Sequence, residues 1–517
     1  MRAPALRTIA VLFSLLMVGA AHAQASSRRP NVLLFLVDDL GWSDTSVPMS
    51  GDANPLNRRW HTPNVERLAA RGMRFGNAYA SAPVCTPTRT SIMTGRSPGQ
   101  SHITYWTLNR DRDTSANFPG LRPPAWRVNG LDADETTLPK LLAAAGYQTI
   151  HVGKAHFGAN DTPTADPKVV GFAVNIAGHA AGGPASYLGT QRFSLAGREG
   201  KDPSDPAGKP SVWDVPGLDA YHGQEIFLTE ALALEASKAI EQAVGAGKPF
   251  FMNFAPYAVH APIMANQRYL DRYADLDERE AAYATMIESV DAALGTLVET
   301  IDRLGVLDTT VIVFASDNGG LSAHARGAAP GGGTRHVHNA PLRSGKGSAY
   351  EGGIRVPQVV AWPGVTAAGS HCDVPVVSHD LFPTILAIAG VDVPASHLAA
   401  LEGIDLGPLL RGDPEAAAAM GDRPLLWNQP HFWGVEGPGI EPFTAIRQGK
   451  WKLIWFHGDR RFELYDLEND PGENTNLAPY RPALVKRLTE VMAAWIEARN
   501  VQLSLDATSG DPVRLER

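Results

Sequence analysis

Cysteine is nearly missing from this chain: Cys85 and Cys372 are the only two in 517 residues. At most one disulfide can form, so stability has to come from a buried core, and the length is ample for one large domain plus a smaller one. A long apolar run is missing as well. The stretch from Ile9 to Ala20 is too short to span a bilayer, and no Cys follows it, which excludes a lipoprotein anchor. Positive charge is not in excess: 46 Lys and Arg against 54 Asp and Glu leave a formal charge of −8. An acidic surface argues against general nucleic-acid binding and means that an anionic ligand must be drawn by a local basic pocket. No internal repeat is present.

What remains is 44% hydrophobic and 19% charged, the composition of an ordinary soluble enzyme. The N-terminus carries Arg2 and Arg7, the apolar run, and Ala21-His22-Ala23 before Gln24. That is a secretory signal peptide over residues 1–23, predicting a periplasmic or secreted protein with no membrane anchor. Cleavage takes the charge from −8 to −10, because the leader holds both arginines and no acid.

Asn31 to Val37 is a continuous apolar run ending in Asp38-Asp39, the pattern of a buried parallel strand. Helical patterns over 63–71, 136–146, 226–244, 281–304 and 380–389 alternate with strand patterns over 73–77, 147–152, 250–254, 310–315 and 355–362. The alternation predicts an α/β fold: a large, mostly parallel (mixed) sheet sandwiched by helices, over residues 24–420. From 421 to 517 the pattern becomes α+β. A hairpin over 443–456, a third strand over 461–465 and a closing helix over 482–499 predict a smaller domain with an antiparallel sheet. Segments 97–135, 158–222 and 321–345 read as long loops walling a pocket.

Cys85 stands in Ser81-Ala82-Pro83-Val84-Cys85-Thr86-Pro87-Thr88-Arg89, followed by Thr94-Gly95-Arg96. A proline just inside a helix start puts Cys85 at the positive end of the helix dipole. Arg89 lies one turn further along the same face. A lone Cys is usually a small buried hydrophobe; this one has the setting of a reactive group at an anion site.

Two oxygen-rich strand ends stand far apart in the chain. Asp38-Asp39 and Asp317-Asn318-Gly319-Gly320 would each sit at the carboxyl edge of the sheet, where α/β folds place ligands. Either alone is a common cap or turn. Jointly they suit a hard cation, Ca²⁺ before Mg²⁺. Gly153-Lys154-Ala155-His156 also ends a strand, and alternation would put Lys154 and His156 on one side. His260 follows another strand end, in Pro256-Tyr257-Ala258-Val259-His260-Ala261-Pro262, and Lys346 lies between glycines in Ser344-Gly345-Lys346-Gly347.

These motifs closely resemble those of the type I sulfatases, over nearly the whole mature chain. The resemblance implies that a sulfatase-maturing enzyme oxidises Cys85 to Cα-formylglycine, whose hydrate attacks sulfur with one hydroxyl and expels sulfate through the other. It implies a Ca²⁺ ion held by Asp38, Asp39, Asp317 and Asn318, with the modified residue 85 as an added ligand. It further implies that Arg89 stabilises the formylglycine oxygens and that Asp317 takes the proton of the attacking hydroxyl. Lys154 and Lys346 bind sulfate from opposite sides, His156 contacts the formylglycine hydroxyl, and His260 is the general acid for the leaving alcohol. With Cys85 converted, Cys372 has no partner and is an inert packing residue.

The expected activity is hydrolysis of a sulfate monoester, on a carbohydrate or on an aryl sulfate in vitro. The rivals are a formylglycine-dependent phosphodiesterase or phosphonate monoester hydrolase, and a non-catalytic glycan-binding protein on the same fold. Tyr105, Trp106 and Trp126 are candidates for stacking on sugar faces, with core packing as the alternative for each. His102, Arg335, His336 and His338 are candidates for contacting further anionic groups.

Overall fold

The computed structural model describes residues 29–201, 210–327 and 336–516. The leader over residues 1–23 and Arg335 lie outside these. Eight strands build the main sheet: β1 (Asn31–Val37), β2 (Met73–Phe75), β3 (Gln148–Gly153), β4 (Val174–Ile176), β5 (Phe250–Ala255), β6 (Thr310–Ser316), β7 (Gln358–Ala361) and β8 (Ser370–Cys372). Their order across the sheet is β8-β2-β7-β6-β1-β5-β3-β4. Pairings from β6 through β4 are parallel, as is β8 with β2. Only β7 runs antiparallel to its neighbours, so the sheet is mixed and mostly parallel.

β1 shows why the sheet is covered on both faces. Leu33, Phe35 and Val37 pack into one core with helices α1 (Pro63–Arg71), α3 (Leu228–Gly245) and α4 (Glu278–Arg303). Val32, Leu34 and Leu36 pack into the other with α2 (Cys85–Thr94) and α5 (Leu381–Ala389). A strand alternates its side chains, so a strand apolar at every position needs a layer on each side.

Four departures from the sequence reading have physical causes. The strand expected over 355–362 is confined to Gln358–Ala361. Pro357 has no N–H to donate to a ladder, and the Arg355 guanidinium turns back onto the Gly76 carbonyl. β4 lies within the segment expected to be loop, where its half-exposed edge position left no apolar pattern. The C-terminal sheet has a fourth strand, β9 (Leu425–Gln429), beside β10 (Phe443–Gln448), β11 (Trp451–Phe456) and β12 (Phe462–Asp466). Finally, the strand holding Gly153 ends there, so alternation does not aim the side chains after it.

The antiparallel sheet is packed beneath α6 (Pro482–Ala498) and shares a core with Tyr79, Tyr350, Ile354 and Val377. A buried ion cluster joins the same two parts. Lys452 on β11 donates to Glu351 (3.0 Å) and Glu473 (2.8 Å), all three with side chains fully buried. Glu351 also accepts from Tyr79 (2.6 Å). Burial, with Glu351 adding to it against Lys452, pushes the Glu473 carboxyl up to about 7. Removing the cation that the two acids share leaves Glu473 uncompensated and Glu351 facing Arg355 at 3.6 Å. Lys452→Met should therefore lower unfolding stability by about 3–5 kcal/mol, seen as an earlier urea midpoint. A loss below about 1 kcal/mol would mean that the carboxylates are satisfied without it.

Both cysteines are free. Cys372 is half-buried on the edge strand β8, packed against the second core. No helix among the described residues is long and apolar enough to cross a membrane.

Candidate active site

The strands β6, β1, β5 and β3 are consecutive neighbours, so their carboxyl ends form one row. From that row come Asp317 and Asn318 after β6, Asp38 and Asp39 after β1, His260 after β5, and Lys154 after β3. Cys85 is the first residue of α2, with Val84 as its N-cap, so it sits at the positive end of the helix. It is 3% exposed and lies within electrostatic reach of Arg89 and Lys346.

Asp38, Asp39 and Asp317 each offer a carboxylate oxygen within 4.8 Å of the others, all buried. The Cys85 thiol is not part of that group. Three cations face the three acids. Arg89 donates through Nε to Asp317 Oδ2 (2.8 Å) and through Nη1 to the Lys154 carbonyl (2.8 Å). Lys154 Nζ donates to both oxygens of Asp38 (2.7 and 2.8 Å). Lys346 Nζ donates to Asp39, 2.9 Å from Oδ2 and 2.8 Å from Oδ1. Asp39 takes a left-handed φ of 59°, a conformation uncommon for a residue with a side chain, and its N–H donates to Asp317 Oδ1 (3.1 Å).

Asn318 completes the set. Its amide nitrogen donates to Asp39 Oδ1 (2.7 Å) and to the Gly319 carbonyl (3.0 Å). Its Oδ1 is buried with no hydrogen-bond partner. A buried acceptor left open costs free energy unless something absent here fills it. Burial, reinforced by Asp317 and Asp39 against Lys154 and Arg89, holds the Asp38 carboxyl well above the usual carboxylate range. For Asp39, burial is outweighed by Lys346 and Lys154, and for Asp317 by Arg89 and Lys154, so both are held low. An all-oxygen cluster with an open amide oxygen and one acid pushed up by burial and by its like-charged neighbours fits a hard divalent cation.

Two histidines border the cluster. His260 donates from Nδ1 to the Ala261 carbonyl (2.7 Å), leaving Nε2 free to face the site, 3.8 Å from Asp39 Oδ2. Burial, then Lys346, pushes it down to about 3. His156 donates from Nε2 to the Thr107 carbonyl (2.7 Å), and its buried Nδ1 has no partner. Burial, then Lys154, holds it well below the usual histidine range. A φ of 56° at His156 and of 88° at Gly153 turns the chain after β3, and that turn aims Lys154 and His156.

The structure thus gathers Asp38, Asp39, Asp317, Asn318, Cys85, Arg89, Lys154, His156, His260 and Lys346 around one position. It does not gather the peripheral candidates. His102 is bound to the Asn500 carbonyl (2.9 Å). His338 is 3% exposed, and Tyr105 and Trp126 are 1% and 7% exposed, so all three are packing residues. His336 is tied to Ser322 (2.9 Å). Sequence reasoning missed Gly182 and Gly183. A Cβ on Gly182 would lie 2.4 Å from the His156 ring, and one on Gly183 2.7 Å from His260 Nδ1; the pair closes over both imidazoles because it has no side chains. Their adjacency inside an otherwise featureless segment was the only signal. Trp433 was missed too: its ring centroid is 5.3 Å from Lys346 Nζ. A separate cavity of about 720 Å³, lined by Trp42, Arg355, Arg447 and Lys450, shares no residue with this cluster.

Comparison with known proteins agrees with this geometry. The Sulfatase family profile matches residues 30–391, and a profile described as N-sulphoglucosamine sulphohydrolase, C-terminal, matches residues 345–499. Human arylsulfatase A is 30% identical, covering 95% of this chain and 91% of its own. Human N-acetylgalactosamine-6-sulfatase is 31% identical, covering 92% and 87%. The crystal structure of Ps i-CgsB in complex with k-i-k-neocarrahexaose superposes with a TM-score of 0.73 at 28% identity, covering 94% of this chain and 95% of that one. Matched in this way along most of its length, the chain belongs to the sulfatase family and is a sulfuric ester hydrolase.

Proposed function

We propose that this enzyme hydrolyses a sulfate monoester on a carbohydrate, using Cys85 in its Cα-formylglycine form and one Ca²⁺. The observation that carries the reading is the buried cluster of Asp38, Asp39, Asp317 and the open Asn318 Oδ1, linked to Cys85 at the start of α2 by Arg89 and Lys346, which pair with the acids and lie within electrostatic reach of Cys85. The four cluster residues would hold the ion. Bound there, Ca²⁺ supplies Lewis-acid polarisation of a sulfate oxygen, and the aldehyde hydrate supplies the nucleophilic hydroxyl.

The remaining work falls to the chain's own groups. Asp317, kept ionised by Arg89 and Lys154, is suited to accept a proton from the attacking hydroxyl. Arg89, fixed by Asp317 and the Lys154 carbonyl, opposes charge on residue 85. Lys154 and Lys346, buried and paired with Asp38 and Asp39, bind sulfate oxygens and stabilise the charge that builds there. His260 presents Nε2 to the leaving oxygen. Burial and Lys346 disfavour its protonation, and the negative charge of a bound sulfate ester opposes that effect, favouring the proton a general acid needs. His156, with Nδ1 bare, accepts a hydrogen bond from residue 85. A carbohydrate substrate is supported by the relatives, one named for an N-acetylgalactosamine 6-sulfate activity and one solved with a neocarrahexaose. Export after Ala23, and a division near residue 420 into catalytic and C-terminal domains, belong to the same proposal.

The test is a mass spectrum and a substrate panel. In protein co-expressed with a sulfatase-maturing enzyme, the tryptic peptide from Phe75 to Arg89 should carry the aldehyde in place of the thiol. That protein should cleave aryl sulfate and at least one sulfated mono- or disaccharide in preference to aryl phosphate. Activity in protein holding only the thiol would refute the role of Cys85, and a clear preference for phosphate would favour the phosphonate or phosphodiester hydrolase.

A further inference from the structure

Trp433 comes from the C-terminal part of the chain, beyond residue 391 where the Sulfatase profile stops, yet it reaches the site. The Lys346 ammonium that lies 5.3 Å from its ring is the one that donates to Asp39. The indole rests directly on the Lys346 loop: a Cβ on Gly347 would lie 2.8 Å from Trp433 Cγ. Gly347 in turn donates to the Pro83 carbonyl (2.9 Å), two residues before Cys85. Trp433 is therefore held between the sulfate-facing lysine and the approach to Cys85.

Its orientation is fixed from behind. Tyr105, fully buried, meets Trp433 edge to face with centroids 5.9 Å apart and donates its hydroxyl to the Phe432 carbonyl (2.9 Å). Tyr105 also meets Trp106 at 6.3 Å. All three pack with Ala82 and Val84, the residues leading to Cys85. Tyr105 and Trp126 present no face, but Trp106 and Trp433 are both partly exposed. The result is a rigid backing behind the partly exposed Trp433, which stands beside Lys346.

We propose that Trp433 forms the wall against which the sulfate-bearing sugar ring stacks, and so sets the preference for a pyranoside leaving group. This rests on the sulfate-ester reading above. A sulfate held by Lys346 carries its ester oxygen, and hence its sugar, within a few bonds of that ammonium. The indole whose ring that ammonium lies over is then close to the sugar. A pyranose has an apolar C–H face that a flat, pre-positioned indole buries at little entropic cost. A polar or aliphatic side chain there would offer no such surface.

The experiment uses matured wild type and the sugar sulfate it cleaves fastest in the panel, with the desulfated sugar as a competitive inhibitor. Trp433→Ala should raise KM for that substrate and Ki for the desulfated sugar together, each by about 10- to 100-fold, with kcat changed less than about threefold. Trp433→Phe should keep both constants within about fivefold of wild type. If Trp433→Ala does not fold, Trp433→Leu takes its place and should show the same loss. Unchanged KM and Ki, or a loss confined to kcat, would overturn the proposal and make Trp433 a positioning residue for Lys346. Matured wild type inert toward every sugar sulfate but active on aryl sulfate would overturn the carbohydrate reading itself, and this inference with it.

Discussion

Cys85→Ala should lose turnover of aryl sulfate by about 10⁴-fold or more while folding as the wild type does. The two halves of that expectation have different origins. Every residue of α2 is buried, so the helix is held by packing along its whole length. Trimming one sulfur from its first position should cost about 1 kcal/mol. The chemistry has no such redundancy. Arg89 and Lys346 lie within electrostatic reach of residue 85 and pair with Asp317 and Asp39, and the proposed mechanism takes its nucleophile from residue 85 alone. Without residue 85 the site can still bind and polarise an ester, yet nothing remains to attack it. The measurement is kcat/KM on an aryl sulfate alongside a thermal melt. Residual activity within about tenfold of wild type would mean that a water, not residue 85, is the nucleophile. Activity lost together with the fold would leave Cys85 as a packing residue.

The second large effect concerns the cation. Exhaustive chelation of calcium should abolish activity, and Ca²⁺ should restore it where Zn²⁺ does not. The proposed ligand set is carboxylate and amide oxygen throughout, which suits a hard ion and gives zinc neither nitrogen nor sulfur. Stripped protein should stay folded, because Arg89, Lys154 and Lys346 already pair with Asp317, Asp38 and Asp39. It should melt lower all the same. An ion bound only by the folded state, present at 100 times its Kd, adds about 2.7 kcal/mol. Asn318→Leu should erase that calcium-dependent part of the melt. Full activity in chelated protein, or a melt indifferent to calcium in wild type, would refute the ligand assignment.

Much of this site was legible in the chain because its residues lie at strand ends. A buried parallel strand announces itself by an unbroken apolar run, and the polar residues that follow must emerge at the carboxyl edge. That logic located Asp38, Asp39, Asp317 and Asn318, and it located Lys154 and His260 after two further runs. The aim of Lys154 and His156 was harder to read, since it depends on the turn at Gly153 and on a left-handed residue at His156. Tyr105 and Trp126 show the limit of composition: an aromatic residue near a site looks the same whether it lines the pocket or props the wall. Burial separates them, and burial is decided by partners hundreds of residues away, such as His431 against Tyr105 at 4.9 Å.

The chain by itself determined the elements, the kinds of group at their ends and the setting of Cys85 at a helix start, because periodicity, caps and dipoles are local. Only the tertiary structure decided that β6, β1, β5 and β3 are neighbours in that order, that each lysine is bound to an acid, and that Trp433 from the C-terminal part stands over Lys346. Parallel strands are joined by crossovers of many residues, so strand order leaves no local trace. A contact between Lys346 and Trp433 likewise leaves none in either neighbourhood of the sequence, since it exists only once the two parts share a core.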